Sequence, residues 1–300
     1  MWVVEENRPD DIDAAAIDAL AAAATRADGV APISEQGLLN VHASPQDGVR
    51  HLTAYTTSSE GDIPSLAGYA QIDARPGGEP AAELVVNPAV RRQGLGHELT
   101  TQVLQRCPAA RIWSHGMLPG SQEIADTHAL VAVRDLWRMS RPLHGIDDRE
   151  PTWPPGHRVT TYTPEDGPDW VALNARSFAH HGEQGRMSLD DLRTREREPW
   201  FDPAGFFLVR DAENRVVAFH WTKVEDGIGE VYVVGVDPDR QGLGLGKAVT
   251  AVGLSHLRAR GLDTVELYVD GDNIAAIRTY QKLGFIRVGQ DVQWAAAMPR

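Results

Sequence analysis

Cysteine is almost absent: Cys107 is the only one in 300 residues. A lone thiol excludes an intrachain disulfide and a zinc site built on several cysteines. No apolar run reaches the roughly 18 residues that a membrane-spanning helix needs. The opening stretch, MWVVEENRPDD, is acidic early and lacks the apolar core of a secretory signal, which points to the cytoplasm. Positive charge is scarce as well, with 29 Lys and Arg against 42 Asp and Glu and a net charge of −13. Such a balance argues against nucleic acid as the main partner, since backbone binding needs a basic face, so any anionic ligand must be held locally, by backbone amides and a few basic residues. The Gly-x-Gly-x-x-Gly fingerprint of an early dinucleotide-binding β-α-β unit is missing, and no Gly-Lys-Ser/Thr closes a Walker loop.

What is present is a device for holding phosphate. In residues 231–247, VYVVGVDPDRQGLGLGK, a β-forming run ends at Val236 and turns at Asp237, Pro238 and Asp239. It then passes through glycines straight into a helical pattern. Glycines let the backbone approach an anion, and the helix start supplies unpaired N–H groups and the positive end of its dipole. The same device occurs in residues 84–99, LVVNPAVRRQGLGHEL. Pro88, Gly94 and Gly96 recur 150 positions later as Pro238, Gly244 and Gly246, half of a 300-residue chain. That period predicts two copies of one domain, in 1–143 and 158–300, with the Pro- and Gly-rich stretch 144–157 as linker. Each half reads as α+β: several antiparallel strands precede the glycine turn and a β-α-β unit follows it, giving a mixed, mostly antiparallel sheet flanked by helices. Helices are expected over 10–27, 124–135, 164–179 and 273–283, and Glu35 is expected in a loop.

The pattern Gln/Arg-x-x-Gly-x-Gly after a strand ending in Val-x-Pro resembles the acyl-CoA pyrophosphate signature of the GNAT acetyltransferases. Gln241-Gly242-Leu243-Gly244-Leu245-Gly246 fits it, and so does Arg91-Arg92-Gln93-Gly94-Leu95-Gly96. Asn273 at a helix start, Tyr280 near its end and then Gly284-Phe285 are also typical of GNAT domains. Over nearly its whole length the chain resembles the mycothiol synthase family. The residues that carry this likeness are 31–36 (APISEQ), 136–143 (LWRMSRPL), Glu183-Gln184-Gly185, 229–236 (GEVYVVGV), Leu267-Tyr268-Val269 and Asn273 through Phe285. The resemblance implies acetyl transfer from acetyl-CoA to the cysteine amine of a cysteinyl-glucosaminyl-inositol, completing mycothiol.

Acetyl transfer from a thioester needs a neutral amine, a polarised carbonyl and a protonated leaving thiolate. An α-amino group has a reference pKa of roughly 7.7–8.0, so one carboxylate can take its proton near neutral pH, directly or through water. Glu230 is the candidate base: it stands on the strand leading to the second glycine turn, and alternation puts it on one face with Tyr232, Val234 and Val236. The competing reading is a strand-edge glutamate beside Asp226 and Gly229. Tyr280 is the candidate acid for the coenzyme A thiolate, against a plain core aromatic before Gly284-Phe285. Asn273 and Tyr280 are seven apart, on nearly one helical face.

For the cofactor, Val234, Gly235 and Val236 are expected to pair with the pantetheine amides like an added strand, with a splay or bulge at Gly235 opening the sheet. Residues Gln241 through Gly246 and Lys247 would hold the pyrophosphate, and the helix residues Asn273, Ile274, Ala275, Ala276, Ile277 and Arg278 would line the arm. The resemblance gives Glu35, Glu183, Lys223 and Tyr268, with Glu230, to the acceptor; read alone, the charged members are ordinary surface. In the first half the same logic marks Leu84, Val85 and Val86, then Arg92, Gln93, Gly94, Leu95, Gly96 and His97. That half lacks the Asn-to-Tyr spacing and carries nothing matching Glu230, although Glu83 and Asn87 are present. It is therefore expected to bind acetyl-CoA without catalysing. No metal is expected, and a monomer is. Two alternatives stay open: a tandem GNAT acting on another amine, such as an aminoglycoside or a protein N-terminus, and a non-catalytic acyl-CoA-binding module.

Overall fold

The computed structural model describes residues 2–7, 13–44, 46–56, 65–145, 151–179 and 184–297. The chain divides into two compact units, Met1–Leu136 with Gln290–Arg300, and Trp137–Gly289.

The first unit contains β1 (Trp2–Asn7), α1 (Ala14–Asp28), α2 (Glu35–His42), β2 (Val49–Thr56), β3 (Leu66–Asp73), β4 (Ala81–Val86), α3 (Leu95–Arg106), β5 (Arg111–Ser114), α4 (Pro119–Thr127) and the start of β6 (Leu130–Pro142). Strands β1 to β4 pair antiparallel in sequence order, and β5 joins β4 in parallel. On the other side of β5 runs the chain's last strand, Val292 to Trp294 pairing antiparallel with Ser114 to Ile112. Alternation along β4 divides the core. Ala82 packs with Leu95, Leu99 and Val103 of α3 on one face, while Val85 joins Ile17, Leu20 and Ala24 of α1 on the other. The Asp13 carboxylate caps α1 at Ala16, and Gly29 ends it with φ +72°. Two local expectations change. Glu35 opens α2 instead of lying in a loop, because the Ser34 hydroxyl accepts the Gly37 N–H and nucleates a helix there. The helix expected over 124–135 stops at Thr127: Ala129 sits at φ 52°, and the apolar, Val-rich stretch from Leu130 to Val133 continues as strand.

The second unit holds the rest of β6, then β7 (Arg158–Thr161), α5 (Gly167–Ser177), α6 (Leu189–Arg195), β8 (Phe206–Arg210), β9 (Val216–Glu225), β10 (Ile228–Val236), α7 (Leu245–Ala259), β11 (Thr264–Asp270), α8 (Ile274–Lys282) and the first residues of β12 (Ile286–Ala296). Its sheet runs β7-β8-β9-β10-β11-β6, antiparallel up to the parallel pair β10/β11. The Leu143 N–H donates to the Asp263 carbonyl at 2.8 Å and the Ser140 hydroxyl to that of Val265 at 3.2 Å, which fastens β6. Each sheet therefore ends on a strand from the other half of the sequence. The unit boundary falls at Leu136/Trp137, ahead of 144–157, of which residues 146–150 lie outside those described.

One face of the second sheet is an aromatic core. Phe206 and Trp221 stack at 4.5 Å, and Trp170 meets both edge-on. All three are fully buried; truncating any of them would cost about 3–5 kcal/mol. The other face packs Val231, Val265 and Leu267 against Leu254 and Leu257 of α7 and Ile277 of α8. Among the described residues, no helix is long and apolar enough to cross a membrane.

Candidate active site

In both units the parallel pair closes for two rungs only. In the second unit these are Gly229 with Val265 and Glu230 with Glu266. Past that point, Val234, Gly235 and Val236 are in register with His220, Phe219 and Ala218 of β9 and have no register partner in β11. One edge of β10 there suits an added strand of amide groups.

The ladder of β10 with β9 is irregular one step earlier. Val231 pairs with Thr222 and Val233 with Trp221, so Tyr232 is the extra residue of a bulge. Its consequence is visible in the packing. Val231 and Val234 lie in the core beneath α7, whereas Tyr232 and Val233 both pack with the Trp170–Trp221 cluster. The single face expected for Glu230, Tyr232, Val234 and Val236 is thus broken, with Val236 packed beside Leu245 and Val249 of α7. The irregularity is at Tyr232 and not at Gly235. Gly235 answers a packing demand: a Cβ there would meet the Phe219 ring at 2.6 Å.

The glycine turn follows as anticipated. The Asp237 carboxylate accepts from the Asp239 N–H at 3.1 Å and starts a 3₁₀ turn over Pro238–Arg240. Gly242 and Gly244 adopt φ +80° and +84°, and Gly244 begins α7 with no side-chain cap. Gln241 to Lys247 therefore present a glycine cradle and an uncapped helix start, a set that fits a pyrophosphate. On α8, Asn273 is the N-cap, its side-chain oxygen accepting from the Ala276 N–H at 3.1 Å. Ile274, Ala275 and Arg278 are exposed, Ala276 is half-buried, and Ile277 is buried. Tyr280 packs edge-on against Phe285 at 5.8 Å, and burial pushes its phenol up to about 12. It holds its proton throughout the neutral range.

Glu230 faces the aromatic side. Its partner across β9 is Lys223, and directly paired residues share a face. The buried Lys223 ammonium pairs with Glu225 at 2.9 Å and sits 4.8 Å from the Trp200 ring centroid and 5.8 Å from that of Tyr232. The Tyr232 hydroxyl accepts from Arg195 Nε at 2.7 Å. Tyr268 lies on the same side of β11 as Glu266, since Val265, Leu267 and Val269 point into the core beneath α7. It is 45% exposed. Glu183 lies outside the described residues. The motif reading passed over Glu266, Arg138 and Trp200. Glu266 was findable, being two residues before Tyr268 on one strand.

The first unit repeats the frame with other contents. Its rungs are Ala81 with Arg111 and Ala82 with Ile112, and β4 pairs with β3 without any bulge through Leu84, Val85 and Val86. Asn87 caps the turn at Ala89, Gly94 stands at φ +92°, and Leu95 and Gly96 begin α3. Both arginines are already engaged. Arg91 makes two 2.7 Å bonds to Asp28, and Arg92 meets the Glu123 carboxylate at 2.5 Å. Gln93 is exposed, and His97 lies 5.6 Å from His128. Glu83 is locked. Ser34 donates to it from its backbone N–H at 3.0 Å and from its hydroxyl at 3.1 Å, and His115 Nε2 donates at 2.9 Å. The other ring nitrogen of His115 donates to Asp291 at 3.0 Å. Burial alone would drive His115 down, but the Asp291 and Glu83 carboxylates push it up to about 10, so it is an imidazolium held between two anions. Glu35 follows Ser34 as the first residue of α2. Among the described residues, no group of His, Cys, Asp and Glu has the arrangement of a metal site.

The profile of the Acetyltransferase (GNAT) family matches residues 169–285. The chain is 48% identical to a mycothiol acetyltransferase of Thermobispora bispora, covering 98% of this chain and 99% of that one. It is also 48% identical to a mycothiol acetyltransferase of Streptomyces avermitilis, over 94% and 91% of the two chains. Among solved structures, a tandem GNAT protein from the clavulanic acid biosynthesis pathway superimposes with a TM-score of 0.72 at 16% identity over the whole of both chains. A GCN5-related N-acetyltransferase from Sphaerobacter thermophilus does so at 0.67 and 21%, over 98% and 94%.

Proposed function

We infer the chemistry from one premise: this chain belongs to the mycothiol acetyltransferase family of GNAT enzymes. It is an N-acetyltransferase of mycothiol biosynthesis, built as a tandem GNAT protein. We propose acetyl-CoA as donor and the cysteinyl amine of a cysteinyl-glucosaminyl-inositol as acceptor, with the second unit as the catalytic one.

In this reading acetyl-CoA lies along the open edge of Val234 to Val236, its pyrophosphate on Gln241 to Lys247 and its arm along α8 from Asn273. Glu230 takes a proton from the acceptor's ammonium, directly or through one water. The freed nitrogen lone pair attacks the thioester carbon. The bulge takes backbone polar groups at Tyr232 out of the ladder with β9, which suits them to polarise the carbonyl. As the tetrahedral intermediate collapses, the C–S bond breaks and the thiolate takes the Tyr280 phenolic proton; the second proton of the attacking nitrogen is lost as the amide forms and, by way of solvent, restores the phenol, while Glu230 gives its proton to solvent. Products are the N-acetylated acceptor and free coenzyme A, and no covalent enzyme intermediate is needed. Lys223 and Tyr268 face the acceptor. Glu35, Glu183 and the acetyl-CoA set in the first unit, Leu84 to Val86 and Arg92 to His97, keep their assignments on the family likeness alone.

The observation that supports this best is the position of Glu230: it occupies the last closed rung of β10/β11, one residue before the bulged step and on the strand that feeds the glycine turn. The test is acetyl-CoA-dependent release of free thiol with the cysteinyl-glucosaminyl-inositol acceptor. Turnover that collapses in Glu230→Ala supports acceptor and base together. An idle wild-type enzyme with that acceptor overturns the acceptor, and an unaffected variant overturns the base.

A further inference from the structure

The rung that carries Glu230 carries a second acid. Glu230 and Glu266 are register partners on adjacent parallel strands, which sets their backbones about 4.8 Å apart with side chains on one face. Two unlike flanks enclose them. On the β9 side stands Lys223, in register with Glu230 and ion-paired to Glu225. On the β6 side stands Arg138, whose Nη1 lies 3.5 Å from Glu266 Oε2. Across β9, β10, β11 and β6 the charges therefore run plus, minus, minus, plus. Arg195, also packed on this face, donates to the Tyr232 hydroxyl, and Tyr268 follows Glu266 on the same side of β11. The Glu266 side chain is 19% exposed. An acid on this face of β11 serves no packing purpose, because its strand neighbours Val265 and Leu267 fill the core on the opposite face.

We propose that Glu266, anchored by Arg138, is a positioning residue for the proton-accepting step: it stands beside Glu230 and sets how readily that carboxylate takes the amine proton. A carboxylate flanked by a like charge is a stronger base than one beside a cation alone. Lys223, itself paired with Glu225, favours the ionised form of Glu230 from one side. Glu266 on the other side opposes that effect, and the 3.5 Å contact with Arg138 holds Glu266 in place. This rests on Glu230 being the base.

The experiment is the pH profile of kcat at saturating acetyl-CoA and acceptor, for wild type, Glu266→Gln, Glu266→Asp, Arg138→Gln and Glu230→Gln, each first checked for a wild-type thermal midpoint. Removing the acid in Glu266→Gln moves the acid limb down by about one pH unit. Removing the cation in Arg138→Gln moves it up by a similar amount, and Glu266→Asp restores the wild-type limb. Opposed shifts of this kind are not produced by loosened packing. Limbs that stay put in both variants, or plateaus that fall without any shift, overturn the proposal while Glu230→Gln remains inactive. A Glu230→Gln enzyme with a wild-type plateau overturns the base assignment, and this proposal with it. Should Arg138→Gln lose its fold over Gly289, which its side chain covers, Glu266→Gln and Glu266→Asp decide alone.

Discussion

The two glycine turns are close copies, and their surroundings are not. Both parallel pairs close for two rungs and then stop. Both turns begin with a side chain accepting a 3.1 Å bond two residues on, from Asn87 to Ala89 and from Asp237 to Asp239. Both helices start at a left-handed glycine without a side-chain cap. Yet the last rung is Ala82/Ile112 in one and Glu230/Glu266 in the other, and only the second strand bulges. Even Gly242 at φ +80° is matched by Arg92, which takes φ 62° at a steric cost glycine avoids. A cofactor cradle is a property of the turn and helix start. In the proposed mechanism catalysis belongs to the rung and bulge before it, so a chain segment can carry the first without the second.

The sharpest test of that contrast is a pair of isosteric changes. Glu230→Gln should lower kcat by about 10³-fold, the middle of the range for removing a general base, with the fold intact. Glu83→Gln should leave kcat within a few-fold, because every bond to Glu83 is structural, and should instead lower the denaturation midpoint. Comparable kcat losses in both would erase the distinction between the units.

The next effect isolates what Glu83 does. Removing one partner from a buried ion pair typically costs about 3 kcal/mol, which is the loss expected for Asp291→Asn. The pH dependence follows from His115, whose folded pKa of about 10 lies above its unfolded value near 6.5. Its contribution is fully present below about pH 6.5 and fades as pH rises through about 10. Urea midpoints between those limits should fall more steeply in wild type than in Asp291→Asn. Parallel slopes would mean that His115 is not charged. In the second unit, Tyr280→Phe removes a proton donor and leaves the packing on Phe285, so kcat should drop about 100-fold while the thermal midpoint stays.

How far the sequence led differs by feature. The turns were legible because Gly94, Gly242 and Gly244 all need φ above zero, a demand written in residue type. Asn273 as a helix cap and Tyr280 as its neighbour two turns on were legible from spacing. The exchange of last strands was not, since Val292 finds Ser114 and Leu143 finds Asp263 by pairing that no local pattern encodes. Nor was the lock on Glu83, whose third member, Asp291, is 176 residues from His115. The bulge at Tyr232 was hidden in the continuous β-forming run VYVVGV, where Gly235 drew attention for a reason that proved to be the Phe219 ring.

The smallest effect separates turn from chemistry most cleanly. Gly94→Ala and Gly244→Ala place the same methyl in the same conformation, at φ +92° and +84°, with nothing within 4 Å of the new Cβ in either case. Each should lose about 1 kcal/mol of stability from left-handed strain alone, and the two losses should match. Their kinetics should not. If turnover runs on the second turn, Gly244→Ala raises the KM for acetyl-CoA by disturbing the amides that hold pyrophosphate, while Gly94→Ala leaves KM and kcat unchanged. A KM that rises equally in both variants would mean that the first turn serves the same reaction.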